Sequence, residues 1–193
     1  WIVLCSLSIG GIGLWGDMLG EISPQKRLIL SAILFSICLL LVPEILPKTI
    51  GVSILDGVLS ISPIAYFLSL IACIGLINAA NMADGANGLM PLVFTGIFYS
   101  FYTQTLDPLY LSVAAAAFVF SLFNVFLGKL YLGDFGSYGL GALASLGALL
   151  LVAQGGVNIW FVLCIGAYPV IDFFVSIGRR RFAGKSPFSA DDD

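Results

Sequence analysis

FGSYGLGALASLGALLLVAQGGVNIWFVLCIGAYPVI, residues 135–171, runs for 37 residues without a charge. As one α-helix it would be more than about 50 Å long, against a bilayer hydrocarbon core of about 30 Å. Gln154-Gly155-Gly156-Val157-Asn158 offers turn chemistry in its middle. The run therefore reads as a hairpin of two membrane spans. Composition points the same way. Of the 193 residues 60% are hydrophobic and 10% charged, where a soluble domain carries about 25% charged residues. Too little polar surface is available to cover a water-soluble globule.

Outward from this hairpin, charges and prolines mark the remaining spans. Residues 1–15 read as the end of one span, and Gly16 to Arg27 as a polar loop. Leu28–Val42 is the next apolar stretch, closed by Pro43 and Glu44. Gly57–Ala83, Gly85–Leu106 and Pro108–Gly128 follow, with Asp107-Pro108 as a turn. The expected fold is an all-α, polytopic transmembrane helical bundle of one partial and about five or six further spans, in a single domain over residues 1–193. The chain opens at Trp1 inside an apolar run, shows no signal peptide, and ends on Asp191-Asp192-Asp193; it reads as part of a longer protein.

Placing the Gly16–Arg27 loop in the cytoplasm and alternating sides puts Lys26, Arg27, Lys129, Arg179, Arg180, Arg181 and Lys185 inside, and only Lys48 outside. That asymmetry is a strong positive-inside signal. The loops holding Asp17, Asp84 and Asp134 fall on the same face. Cys5, Cys38, Cys73 and Cys164 are far apart in apolar runs, without a CxxC pair, and read as buried structural thiols. Nothing points to a nucleic-acid partner.

Four stretches carry candidate chemistry. Asp17, after Gly13-Leu14-Trp15-Gly16, suits either a metal ligand or a helix cap. Asn78, Asn81, Asp84 and Asn87 recur every third residue, which on a helix makes one slowly rotating stripe. Amide packing between helices would explain the asparagines; the charge of Asp84 asks for a ligand. Around Asn124…Lys129-Leu130-Tyr131-Leu132-Gly133-Asp134-Phe135-Gly136-Ser137, a helix starts next to an acid and small residues. Free N–H groups at a helix start favour phosphate. An Asp beside a phosphate needs a cation between them, and Mg²⁺ takes carboxylate and phosphate oxygens; a capped, tightly packed helix start is the plainer alternative. The basic stretch from Arg179 to Lys185 suits a positive-inside anchor or phosphate attraction. Asp172, seven residues before Arg179, reads as an intramembrane partner rather than a catalyst.

Taken together the motifs resemble the polyprenyl-phosphate N-acetylhexosamine-1-phosphate transferases, from Gly13 to Ser189 and in order. Asn81-x-x-Asp84-Gly85-x-Asn87-Gly88 and Asn124…Lys129-x-Tyr131-x-Gly133-Asp134-x-Gly136-Ser137 carry most of the resemblance. Lys185-Ser186-Pro187-Phe188-Ser189 looks like the branch that initiates O-antigen and related polymers. The resemblance implies transfer of a sugar-1-phosphate from a UDP-N-acetylhexosamine to a polyprenyl phosphate such as undecaprenyl phosphate, on the cytoplasmic face of the bacterial inner membrane. It implies Mg²⁺, with Mn²⁺ as the alternative, on Asp134 and Asp17. It implies Asp17, Asp84 and Asp134 as catalytic residues and Asn81, Asn87, Asn124 and Tyr131 as the nucleotide pocket, Tyr131 stacking on uracil. Lys129, Arg179 and Lys185 would attract phosphate. Two positions depart from the pattern: Gly16 stands where the first of two adjacent aspartates belongs, and Asn87 where many relatives have Asp. The family's histidine-rich motif is expected after Ser189, and the chain has no His. A transporter or a non-catalytic membrane scaffold is the rival reading. A transporter would place polar groups near the bilayer midplane, whereas here they gather at one face.

Overall fold

A computed structural model describes residues 1–19, 22–128 and 130–182. The described residues form nine α-helices and no strand: α1 (Ile2–Leu19), α2 (Pro24–Leu41), α3 (Ser53–Leu59), α4 (Ser62–Ala83), α5 (Leu89–Thr105), α6 (Pro108–Leu127), α7 (Gly133–Ala153), α8 (Ile159–Ile165) and α9 (Ala167–Phe182), with a single 3₁₀ turn at Pro43–Ile45. Local chemistry explains most of the starts. Ser23 accepts the Lys26 N–H at 3.4 Å, with Pro24 opening α2. Asp107 accepts the Leu109 N–H at 2.9 Å ahead of Pro108. Asn158 accepts the Phe161 N–H at 2.9 Å and starts α8. Each satisfies an N–H that the first helical turn leaves without a partner.

Helix α7 is the axis. In its membrane window 67% of residues are buried, against 22–33% for α2, α4 and α6. α1 lies along α7 most extensively, and α4 covers another side. Gly136, Gly141, Ala142, Ala144, Ser145, Gly147 and Ala148 line the buried surface of α7. In lipid the hydrophobic effect does not drive helices together, so close backbone approach through small residues does that work. One apolar cluster, with Ile9, Phe35, Leu39, Ile77 and Leu146, joins α1, α2, α4 and α7. The other centres on Phe94, Phe98, Phe101 and Tyr110, whose rings stack or meet edge-on where α5 meets α6. Phe67, Ile71, Phe118, Phe126 and Phe174 point outward and exposed, as side chains facing lipid do.

Among the described residues, α2, α4, α6 and α7 are long and apolar enough to cross a membrane, and α8 with α9 makes a fifth if the bent pair counts as one span. The apolar stretch of α1, Ile2–Met18, and the 17 residues of α5 sit at the short end of what a bilayer accepts. This is a multi-pass membrane protein.

Four details differ from the sequence reading. Gly16 and Asp17 belong to the last turn of α1 rather than to a loop. The loop ahead of α4 contains α3, which ends at Leu59 before α4 opens with Pro63 in its first turn. The second arm of the hairpin is not one straight span: α8 and α9 meet at 66°. Pro169 is the cause, since a continuous helix would need its missing N–H to bond Ile165 and would drive its ring into that carbonyl; in the first turn of a new helix it is tolerated. Cys164, expected buried, is exposed, while Cys38 and Cys73 are buried and Cys5 half-buried.

Candidate active site

The Asn/Asp stripe does not persist as a helix face. α4 stops at Ala83, Asp84 caps it, and Gly88 takes a left-handed conformation (φ 79°) before α5. Asn78 turns back to its own helix, donating to the Ile74 carbonyl at 2.8 Å, and takes no part in the site. Asn81 reaches across to α7 instead. Its amide donates to Asp134 Oδ1 at 2.6 Å and to Ser137 Oγ at 3.0 Å.

Asp134 is the hub. Its other carboxylate oxygen, Oδ2, is ion-paired with Arg27 from α2, both side chains about one-fifth exposed (21% and 22%). Its backbone N–H, in the first turn of α7, donates to Asp17 Oδ2 at 3.0 Å. Asp17 thus caps a helix, as one of its two sequence readings held, but it caps α7, 117 positions further along the chain. Gly133 makes room for it. Its φ is 64°, and a Cβ there would lie 2.9 Å from Asp17 Oδ2. Asp17 in the last turn of α1 and Arg27 in the first turn of α2 each sit at the electrostatically wrong helix end, a cost of about 0.3–1 kcal/mol apiece. Contact with α7 offsets both.

Asn124 ties two loops together. Its side-chain oxygen accepts the Gly88 N–H, and its amide donates to the Leu130 carbonyl. Asn87 lies against the same place, its Nδ2 within 3.9 Å of where a Gly128 Cβ would stand. Asn87 and Asn124 therefore share a wall with the Leu130–Leu132 segment. Tyr131, on that segment, is 73% exposed and open to stacking. Arg179 is in the last turn of α9 with Arg180 and Arg181, and α9 packs on α4. Lys129 and Lys185, with the rest of the basic tail beyond Phe182, lie outside the described residues.

Two residues of the site receive no role from the sequence. There Arg27 is only one positive charge among seven, and Ser137 only part of a motif. A signal for Arg27 exists: a cation in the first turn after Ser23-Pro24 works against the helix dipole and calls for a carboxylate elsewhere.

Among the described residues no three of His, Cys, Asp and Glu gather as a metal cluster. Asp17 and Asp134 are the two carboxylates brought together. Mg²⁺ takes one or two protein carboxylates and fills the remaining positions with substrate phosphate and water. The pair fits a cation shared with a phosphate, not one caged by protein alone.

Asp84 stands outside the spans, half-buried. Burial pushes its carboxyl up from 3.8 to about 6. The folded protein therefore holds this proton more tightly than the unfolded chain does. The stabilising contribution is complete below about pH 4 and is lost as pH rises through about 6. Thermal unfolding of Asp84→Asn is expected to show a flatter dependence on pH between about 4 and 7 than the parent protein. Parallel profiles would mean that another group titrates there.

Helices and site together define a multi-pass membrane protein with a charge-paired polar cluster at the start of α7. The chain belongs to glycosyl transferase family 4, whose family model matches residues 1–152. It is 29% identical over 157 residues to a phospho-N-acetylmuramoyl-pentapeptide-transferase of Prochlorococcus marinus, an alignment covering 75% of this chain and 40% of that protein. It is 28% identical over an alignment of 203 positions to the undecaprenyl-phosphate alpha-N-acetylglucosaminyl 1-phosphate transferase of Salmonella typhi (98% and 54%). With the Escherichia coli K12 protein of the same description it shares 31% over 149 residues (68% and 39%). The chain spans roughly two-fifths to one-half of the length of these relatives.

Proposed function

We infer that the whole protein transfers an N-acetylhexosamine-1-phosphate from a UDP-N-acetylhexosamine to a polyprenyl phosphate, releasing UMP, at the cytoplasmic face of a bacterial plasma membrane. The observation that carries this reading is the convergence of Asp17, Arg27, Asn81 and Asp134, from four different helices, on the N-terminus of α7. A helix start, two carboxylates, a guanidinium and an amide in one place suit the handling of phosphate with a divalent cation. The similarity to a phospho-N-acetylmuramoyl-pentapeptide-transferase and to an undecaprenyl-phosphate alpha-N-acetylglucosaminyl 1-phosphate transferase supports the same class.

In the proposed reaction an oxygen of the lipid phosphate attacks the β-phosphorus of the UDP-sugar. A new P–O bond forms there, the α–β phosphoanhydride bond breaks, and UMP leaves. Mg²⁺, held by Asp17 and Asp134, would supply neutralisation of crowded phosphate charge. Asp134 is set in position by Asn81 and by Asp17. The second proton of a phosphate monoester has a pKa of about 6, close to that of Asp84. A carboxyl raised by burial suits Asp84 to the role of general base toward that proton. Asn87, Asn124 and Tyr131 form the wall on which the uridine would lie. An apolar cavity of about 560 Å³ runs between α4, α7, α8 and α9, lined by Ile71, Leu76, Ala79, Leu149, Val170 and Phe174 among others. It begins within one turn of Asn81 and has the chemistry for an isoprenoid tail.

N-acetylglucosamine and a 6-deoxy N-acetylhexosamine both remain candidates for the sugar, and initiation of an O-antigen or related polymer is the proposed setting. The test is UMP release by the purified full-length protein from either donor, with and without undecaprenyl phosphate. Release that requires the lipid phosphate and stops with EDTA is expected. Release independent of the lipid, or none from either donor, overturns the assignment.

A further inference from the structure

Arg27 does more than balance a charge. Its Nε donates to the Ile22 carbonyl at 3.3 Å, folding the side chain back over the start of its own helix. Its Nη1 meets Asp134 Oδ2. Its flat face lies on Gly16: a Cβ added there would stand 3.2 Å from Cζ and 3.3 Å from Nε. Gly16, read from sequence as a missing aspartate, is therefore the space into which a guanidinium fits. The carboxylate of Asp134 is engaged at both oxygens, by Arg27 on Oδ2 and by Asn81 on Oδ1. A divalent cation and a guanidinium sharing one partly buried oxygen would repel each other strongly at such separations.

We propose that Arg27 is the resident counter-cation of Asp134 and that a divalent cation binds this site by exchange with it. Arg27 is then a positioning residue. It keeps Asp134 neutralised and the α1–α2–α7 junction in one arrangement before metal arrives, and it lowers the site's affinity for metal, because binding must first detach the guanidinium. Gly16 sets the strength of this lock through the room it leaves. The proposal rests on the reading of Asp134 as a metal-binding carboxylate.

The test is Mn²⁺ titration, followed by electron paramagnetic resonance, of the full-length protein in phosphatidylcholine nanodiscs without nucleotide. Arg27→Gln is expected to bind Mn²⁺ at least about tenfold more tightly than the parent, and Arg27→Lys, which keeps the charge, to stay within about threefold of it. In EDTA the Arg27→Gln variant should melt lower than the parent, and Mn²⁺ should close the gap. Should Arg27→Gln fail to fold, Gly16→Ala provides the same test. Its methyl pushes the guanidinium tip aside while leaving every charge in place, and it should also tighten Mn²⁺ binding. Equal or weaker Mn²⁺ affinity in the folded variants overturns the exchange while leaving the metal site standing. Absence of Mn²⁺ binding from parent and variants alike overturns both.

Discussion

Asp134→Ala is expected to lower UMP release by the full-length protein at least about a thousandfold, equivalent to about 4 kcal/mol of transition-state stabilisation. Electrostatic groups aimed at developing charge commonly carry effects of that size. The substitution removes the proposed metal ligand and also the shared partner of Arg27 and Asn81. The Arg27 guanidinium is then left without its carboxylate. Because about one-fifth of it is exposed, water relieves part of that loss, and the stability cost should be about 1–2 kcal/mol rather than the roughly 3–5 of a fully buried broken pair. Asp134→Asn separates the two effects. It retains the shape of the side chain and one acceptor for Asn81 or Arg27, so it should recover part of the stability lost in Asp134→Ala and still be inactive. Turnover within about tenfold of the parent in either variant would remove Asp134 from the reacting centre.

Gly13→Ala is expected to be among the most damaging single methyl additions in the bundle. A Cβ at Gly13 would overlap the carbonyl group of Asp134 and stand 2.8 Å from the Phe135 nitrogen. These are backbone atoms of α7, which cannot rotate away, so α1 and α7 must separate. Overpacking of this kind costs about 1–3 kcal/mol and more when backbone must move. A melting temperature lower by roughly 6–12 °C follows for a cost of about 3 kcal/mol in a chain of this length. The separation would also withdraw Asp17 from the start of α7, so activity should fall with stability. Gly11→Ala is the control: it lies in the same helix, nothing stands within 4 Å of its added methyl, and removal of a helical glycine should be neutral or favourable. If the two variants melted together, the contact between α1 and α7 would not be as close as described.

The helical, membrane-spanning character of the protein was legible because gaps between charges, and turn signals between apolar runs, record span boundaries. Asp107-Pro108 and Gln154–Asn158 both fall where helices end or begin. Clustering of Asp17, Asn81 and Asp134 was legible through their motifs and their common side of the membrane. The pairwise geometry was not. A three-residue spacing says that Asn78, Asn81, Asp84 and Asn87 share a face only while the helix continues, and α4 ends at Ala83. The break between α8 and α9 turned on Pro169, hidden inside an uncharged run whose apolar character drew attention away from its missing N–H. The role of Arg27 needed a tertiary partner that no local pattern names, although its place at a helix start was a clue. Gly10, Gly13 and Gly16, three apart in α1, did hold a legible signal for close helix packing. Gly10 lies near α7 as well, where a Cβ would stand 3.1 Å from the Phe135 carbonyl oxygen.

The tie between Asp17 and the start of α7 has a consequence for biogenesis. Its two ends are 117 positions apart. At a synthesis rate of roughly 5–20 residues per second, α1 and its carboxylate must wait on the order of 10 s for their partner to leave the ribosome. During that interval α2, α4 and α6 are made while Asp17 and Arg27 lack their partners on α7. The cluster is thus assembled late, by the helix that becomes its axis, and a nascent chain halted before α7 would lack Asp134, the residue on which the other three converge.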